Sequence, residues 1–122
     1  KNVINDEGRS SFDGTVIVNQ GAQLTSANQL INNLMLSDDC HADNKPNLMI
    51  FADDVKCAHG ATIGQIDEDQ LFYLQTRGLS KKFAKELLTR SFAESIVQTI
   101  QFSEVVKELS NTLLKKLEVD NV

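Results

Sequence analysis

The chain has 122 residues, of which 41% are hydrophobic and 24% are charged, and its formal net charge is -5 at pH 7. This length fits one domain or a small domain with an appendage, and the composition excludes a disordered chain. The negative charge argues against general nucleic-acid binding, and no segment has the roughly 18 consecutive apolar residues of a membrane-spanning helix. Two cysteines are too few for a disulfide framework, which predicts a reduced protein of the cytoplasmic type.

The first half of the chain contains short apolar runs separated by turn residues. Lys1–Ser11 is polar and predicts a loop or a frayed end, Phe12–Gly14 favours a turn, and the β-branched Thr15–Val18 predicts a strand. Leu34–Asp39 is an apolar run followed by a small residue and an Asp pair, and the same pattern returns fifteen residues later at Met49–Asp54. Repeats of this size predict a β-solenoid, whose stacked rungs bury the apolar face that one rung leaves exposed. The edge of a β-sandwich would give a similar pattern, so both architectures stay open here.

The second half has a helical period and recognisable helix ends. Asp67 is a good N-cap residue, Gly78 would end the first helix in a left-handed conformation, and Ser80 and Ser103 would cap two further helices. The second helix is predicted to reach about Ile100, with an apolar stripe wide enough to pack against another surface. That stripe consists of Ala84, Leu88, Phe92, Ile96 and Ile100. We therefore predict two domains, a β-solenoid core over residues 1–66 and a C-terminal helical domain over residues 67–122.

Cys57 and His59 are the strongest candidates for chemistry. Their spacing places them on one face of a predicted strand, and a thiolate beside an imidazole suits zinc, copper or iron–sulfur chemistry. Cys40 and His41 form a second pair, but Cys-His-x15-Cys-x-His is not a recognised zinc spacing. The alternative is structural: Cys57 is a small core residue, and His59 is a hydrogen-bonded histidine of the interior or edge.

The two Asp pairs, Asp38–Asp39 and Asp53–Asp54, each follow a predicted strand. They could be metal carboxylates or a general acid and base, but their position at the strand ends favours turn capping. The sequence contains no Gly-rich phosphate loop and no nucleophile elbow. These observations give no support to a catalytic site.

Several segments together resemble the SufD family of the SUF iron–sulfur cluster assembly machinery. The longest is Asp53–Thr62, with the sequence DDVKCAHGAT, and the similarity extends in order from about Phe12 to Phe92. The other matching positions are Leu36–Asp39, Ala42–Asp43, Lys45–Pro46, Gly64, Asp69–Leu74 and Arg77–Gly78. Members of this family are considerably longer, so the resemblance implies that the chain corresponds to the C-terminal part.

The resemblance implies a fold, a function and partners. The fold is the end of a right-handed parallel β-helix followed by a C-terminal helical domain. The function is that of a non-catalytic scaffold subunit, which pairs with its SufB paralogue and docks SufC, an ABC-type ATPase, through the helical domain. ATP hydrolysis then belongs to the partner, and the iron–sulfur cluster is a transient cargo of the full complex rather than a cofactor of this chain.

The resemblance also implies site residues. His59 matches the histidine of the family's Lys-Cys-x-His-Gly-Ala-Thr motif, which is implicated in building the nascent cluster at the interface with the SufB paralogue. Cys57 matches the motif without a defined role. Cys40 stands where Ala is commoner, near the rung that holds a cluster-building cysteine in SufB. It is therefore either a ligand or, as we prefer, a small residue that replaces Ala.

The first two predicted helices are the expected ATPase-docking surface. The candidate residues for this contact are Leu71, Phe72, Tyr73, Leu74, Arg77, Gly78 and Arg90. The alternative function is a stand-alone metal-binding β-helix protein that uses Cys40, Cys57 and His59. A scaffold should leave apolar side chains exposed on its helical domain and one β-edge unpaired, whereas a self-sufficient metalloprotein should bury both.

Overall fold

Five strands precede three helices in the computed structural model of the chain, which describes residues 1–119. The elements are β1 (Asn2–Ile4), β2 (Arg9–Val18), β3 (Ser26–Met35), β4 (His41–Ile50), β5 (Lys56–Gly64), α1 (Glu68–Thr76), α2 (Lys81–Val97) and α3 (Ser103–Val119). The order of a β part and then a helical part agrees with the prediction. Residues 120–122, at the end of the predicted helical domain, lie outside the described residues.

The chain divides into two compact units. Asn2–Gly64 forms the first, which we call the β body, and the part from Gln65 onward forms the second with Lys1, which we call the helical unit. The division therefore falls two residues before the domain boundary predicted from the sequence. No helix in the described part is long and apolar enough to cross a membrane.

The β body contains two parallel sheets, and consecutive strands alternate between them. One sheet has the order β1-β3-β5 and the other pairs β2 with β4. Asn2 is in register with Asn33, and Ser26 is in register with Lys56, so hydrogen-bonded neighbours lie about 30 residues apart. The fifteen-residue repeat therefore marks strands of alternate sheets and not stacked neighbours. The parallel pairing differs from the antiparallel sheets of a β-sandwich. Both described sheets are open, and the right-handed β-helix stays a prediction.

The strands are longer than the sequence predicts. Lys1–Ser11, predicted as a loop, contains β1 and the start of β2, and Phe12–Gly14, predicted as a turn, continues β2. Small and polar residues are accommodated in β2 because the backbone ladder with β4 supplies their hydrogen bonds. Pro46 lies within β4, in register with Gly14. A strand with one paired edge tolerates the missing N–H of proline.

The interior of the β body is formed by alternate positions of the strands. Ile4, Cys40 and Ala42 form a buried cluster, against which Met35 packs. Four further apolar residues of the β body are buried, namely Val18, Ile31, Leu34 and Ala52. One polar residue of the β body, Asn33, is also buried, at 3% exposure. A buried amide is stable only when its polar atoms are hydrogen-bonded, and its partners are described below.

Both ends of α1 have the predicted capping residues. The Asp67 carboxylate accepts hydrogen bonds from the backbone N–H groups of Asp69 and Gln70, at 2.9 and 3.1 Å. At the other end, Gly78 has a φ of +93°. The N–H of Leu79 donates to the carbonyl of Leu74, and the N–H of Gly78 donates to that of Gln75. This pair of bonds is a Schellman motif, which ends the helix at the glycine.

The other two helices differ in detail from the prediction. Ser80 Oγ accepts from the N–H of Phe83 at 3.2 Å, which confirms the N-cap of α2. However, α2 ends at Val97 rather than Ile100, and Ser103 is the first residue of α3 rather than its cap. The buried side of α2 consists of Ala84, Thr89, Ala93 and Val97.

The predicted apolar stripe of α2 is therefore only partly buried. Ala84 is buried, whereas Leu88, Phe92 and Ile100 are half-buried and Ile96 is 51% exposed. Thr89, Ala93 and Val97 each come one position after a residue of the predicted stripe, so the buried side of α2 is rotated by one residue from that stripe. The small side chain of Ala93 allows a neighbouring helix to approach closely. The larger apolar residues then lie at the margins of the contact.

Candidate functional site

Strand β5 contains both chemical candidates of the family motif. Cys57 is half-buried and His59 is exposed, and their spacing of two residues places both side chains on one face of the strand. In the neighbouring strand β3, Ala27 is in register with Cys57, and Gln29 is in register with His59. Both ligand-type groups are thus held by a regular parallel ladder, and the imidazole of His59 is accessible to a partner or a metal species.

One edge of β5 is unpaired in the described part of the chain. The sheet order β1-β3-β5 places β5 at the end of its sheet, with β3 as its hydrogen-bonded neighbour. Within β5 no side chain is buried, and Ile63 is a large apolar residue exposed there. An unpaired strand edge is a template for pairing with another chain.

Cys40 lies in a different environment from Cys57 and His59. It is buried just before β4, and its thiol donates to the carbonyl of Ser37 at 3.1 Å and contacts that of Ile4 at 3.5 Å. The Met35 sulfur lies 3.8 Å from Cys40 Sγ. These contacts support the interpretation of Cys40 as a small core residue.

The three predicted ligands do not converge in the β body. Both cysteines are free thiols, and among the side chains of residues 1–117 no three His, Cys, Asp or Glu form a group that could hold a metal ion. His41 pairs instead with Asp43, at 3.3 Å on the outer surface of β4. The Asp pairs lie in the turns after β3 and β4, where the sequence predicts them. The structure therefore places Cys57 and His59 together and Cys40 apart.

The helical unit exposes large apolar side chains on α1 and on α2. Phe72 and Tyr73 of α1 are exposed by 68% and 56%, and Phe83 and Leu87 of α2 are also exposed. Leu71, in contrast, is 1% exposed, so it supports the helix pair from the inside and is not part of the surface. Since α3 leaves these side chains uncovered, it does not occupy the whole apolar face of α2. We call Phe72, Tyr73, Phe83 and Leu87 the aromatic patch.

An open groove lies between α1 and α2, and Tyr73 is the residue of the aromatic patch that lines it. Its volume is about 390 Å³, and it is lined by Asp69, Gln70, Tyr73, Leu74 and Leu88. Leu74 and Leu88 are half-buried, and the surface that lines the groove is almost entirely apolar. Such a groove suits a partner helix or loop that inserts an apolar side chain.

The two candidate arginines, Arg77 and Arg90, are held by neighbours on their own helices. Arg77 Nη2 donates to the Tyr73 hydroxyl at 3.1 Å, and the Arg77 guanidinium lies 5.1 Å from the centre of the Tyr73 ring. Arg90 Nε donates to Glu94 Oε1 at 3.0 Å. Gly78 is exposed and forms the C-cap described above. Tyr73 and Arg77 thus form one stacked unit at the C-terminal end of α1.

The sequence interpretation missed part of this surface. Phe83, Leu87, Asp69 and Gln70 were not among the predicted contact residues, although Phe83 and Leu87 are four positions apart and share a face of α2. That spacing is the signal in the sequence that could have identified them. The groove itself could not be predicted, because it depends on the angle and distance between two helices.

Comparison with known proteins identifies relatives of the chain. Residues 1–92 match the family model described as SUF system FeS cluster assembly, SufBD core domain. The chain is 40% identical over 101 residues to the iron-sulfur cluster assembly protein SufD of Escherichia coli, covering 83% of the chain and 24% of that protein. It is 44% identical over 105 residues to an iron-sulfur cluster assembly SufBD family protein of Synechocystis, covering 86% of the chain and 23% of that protein.

A plant protein gives a similar result. The chain is 42% identical over 109 residues to protein ABCI7, chloroplastic, of Arabidopsis thaliana, covering 89% of the chain and 23% of that protein. The chain thus spans 23–24% of the length of these three relatives. The family match includes the whole β body, α1 and most of α2.

Proposed function

Because the chain belongs to the SufBD core-domain family of the SUF iron–sulfur cluster assembly system, we propose that it is part of a non-catalytic scaffold subunit of that system. The match over residues 1–92 is the observation on which the proposal rests. The similarity to a protein named SufD supports the assignment to that branch of the family. In this proposal the chain corresponds to the C-terminal part of such a subunit, with the end of a right-handed parallel β-helix and a helical domain.

The nascent cluster is the cargo of this scaffold, and His59 is its proposed contact in this chain. An exposed imidazole on a regular strand can bind iron without rearrangement of the β body, and the half-buried thiol of Cys57 lies on the same face. Cys40 is excluded from the proposed contact because its thiol is engaged with core carbonyls. We propose that a SufB-like paralogue supplies the remaining ligands across an interface next to β5.

The helical unit is the proposed docking site for a SufC-like ABC ATPase. The aromatic patch offers large apolar side chains, and the groove between α1 and α2 is lined almost entirely by apolar surface. Lasting protein interfaces have such an apolar centre. Tyr73 and Arg77 extend this surface to the end of α1 as a stacked pair. ATP hydrolysis is assigned to the partner, and this chain is not proposed to be an enzyme.

The docking proposal is tested by placing a charge in the aromatic patch. Phe72→Asp should weaken binding of the ATPase subunit by roughly tenfold or more, because a carboxylate would be buried in an apolar contact. Isothermal titration calorimetry with the purified ATPase measures this effect. Phe102→Asp is the matched control, since Phe102 is exposed by 73% and lies between α2 and α3, away from the patch residues in sequence. Equal affinities of the two variants would contradict the proposal.

The alternative function is a stand-alone metal-binding protein, favoured by the Cys-x-His pair on β5. A tight site needs several convergent ligands with hydrogen-bonded support. We therefore expect the isolated chain to bind less than stoichiometric iron or zinc after anaerobic reconstitution, measured by mass spectrometry of metals. One tightly bound ion per chain, lost in a Cys57→Ala variant, would favour the alternative.

A cytoplasmic location stays a prediction from the low cysteine content.

A further inference from the structure

Strand β5 has little side-chain burial to fix its position. It contains two glycines, two alanines, a cysteine and a threonine among nine residues, and within this described strand no residue is buried. Burial of one face normally specifies the register of a strand, because a shift of one residue moves every side chain to the opposite face. The register of β5, and with it the side on which His59 projects, must therefore depend on other interactions.

A buried amide spans the three strands of this sheet. Asn33 of β3 is 3% exposed, and its Oδ1 accepts a hydrogen bond of 2.7 Å from Asn2 Nδ2 of β1. Because Oδ1 is used by Asn2, the Nδ2 group of Asn33 is directed the other way. It donates to the backbone carbonyl of Thr62 in β5 at 2.9 Å. The Asn33 side chain thus links both neighbouring strands of β3.

A second bond reaches the same residue of β5 from the adjacent position. Thr62 Oγ1 donates to Asn32 Oδ1 at 3.1 Å on the exposed side of the sheet. Thr62 lies three residues after His59 and is in register with Asn32. Two consecutive asparagines of β3 therefore hold Thr62, one through its backbone and one through its hydroxyl.

We propose that Asn33 is a positioning residue that fixes β5, and with it Cys57 and His59, through the carbonyl of Thr62. We call this hydrogen bond of Asn33 to Thr62 the anchor. Its effect on β5 does not depend on what β5 binds, whereas its importance for cluster assembly rests on the proposed function. If Nδ2 loses the Thr62 carbonyl, a buried donor is left without a partner, so any displaced position of β5 is disfavoured. The hydrogen bond between Asn33 and Thr62 thereby specifies the register of β5, which the small side chains of this strand do not specify.

The two cysteines of the chain allow a direct test. Asn33→Ala removes the bonds of the amide to Thr62 and to Asn2, so it should release β5 and raise the rate of Cys57 alkylation by iodoacetamide by about tenfold, a size within reach of the loss of two part-buried hydrogen bonds. Cys40, which is buried in the core of the β body, reports general opening in the same sample. Peptide mass spectrometry measures both rates separately. Asn28→Ala, an exposed asparagine of the same strand, is the matched control and should leave both rates unchanged.

A selective rise at Cys57 supports the anchor. A parallel rise at both cysteines, or no change at either, overturns it. If Asn33→Ala does not fold, Asn2→Ala removes the bond that orients the amide, and a smaller but still selective rise at Cys57 is expected. The absence of that selectivity is equally decisive against the proposal.

Cluster assembly is measured separately in the complete complex. Asn33→Ala should lower the iron content of the complex, because displacement of β5 moves His59 away from the cluster. Selective labelling of Cys57 with normal iron content would overturn the link between the anchor and His59. Unchanged iron in a His59→Ala complex would instead contradict the proposed function, so the two failures are distinguishable.

Discussion

Gly78 shows how one residue determines where α1 ends. Its φ of +93° is left-handed, and an added Cβ would have no heavy atom within 4 Å. The cost of a side chain at this position is therefore a backbone cost and not a steric clash with a neighbour. The sequence predicts this residue correctly because a left-handed C-cap strongly favours glycine.

We expect Gly78→Ala to destabilise the helical unit by about 1–2 kcal/mol, the cost of left-handed backbone for a residue with a Cβ. Gly78→Asn should cost less, because asparagine adopts this conformation more readily. Urea unfolding followed by circular dichroism at 222 nm measures both variants. Equal stability of Gly78→Ala and the unchanged chain would show that the Schellman motif does not hold the end of α1.

Cys40 illustrates a residue whose role the sequence leaves open. A cysteine at this position is compatible with either a metal ligand or a core residue, and only its surroundings show which of these two roles it has. The thiol contacts the carbonyls of Ser37 and Ile4 and the sulfur of Met35, all of which come from other parts of the β body or the preceding turn. Such contacts depend on tertiary packing, which the order of residues along the chain does not specify.

At the scale of elements, α1 has one buried and one exposed apolar position next to each other. Leu71 is 1% exposed, whereas Phe72 is 68% exposed. Leu71→Ala should lower the free energy of unfolding of the helical unit by about 2–5 kcal/mol, because it leaves a cavity in the core. Phe72→Ala should change it by no more than about 0.5 kcal/mol, as expected for an exposed position. Urea unfolding of the two variants gives the comparison, and a similar loss for both would contradict the observed orientation of α1.

The helices were more predictable than the strands because their ends have local chemical signals. The Asp67 and Ser80 caps depend on hydrogen bonds within three residues, so their sequence signature is sufficient. The start of β2 has no such signal: apart from Phe12, Arg9–Gly14 consists of polar residues and glycine, and it is extended because β4 pairs with it from about 30 residues away. Pairing over that distance overrides local turn preference.

At the scale of the whole chain, the sequence predicted the family and the order of the β and helical parts. It also predicted that Cys57 and His59 share one strand face. It did not reveal the aromatic patch in full, because the burial of Leu71 and the exposure of Phe83 depend on how α1 packs against α2. Nor did it reveal the Asn33 anchor, which requires the register of β1, β3 and β5.

The most direct test of the central claim, that the chain contributes His59 to cluster assembly, is the iron and acid-labile sulfide content of the complete complex. His59→Ala should lose most of both while changing the free energy of unfolding by no more than about 0.5 kcal/mol, since His59 is exposed. His41→Ala is the matched control: His41 is also exposed, and its pair with Asp43 lies on the outer surface of β4. The account predicts normal iron for His41→Ala and little for His59→Ala; normal iron in both, or a large loss of stability in His59→Ala, would contradict it.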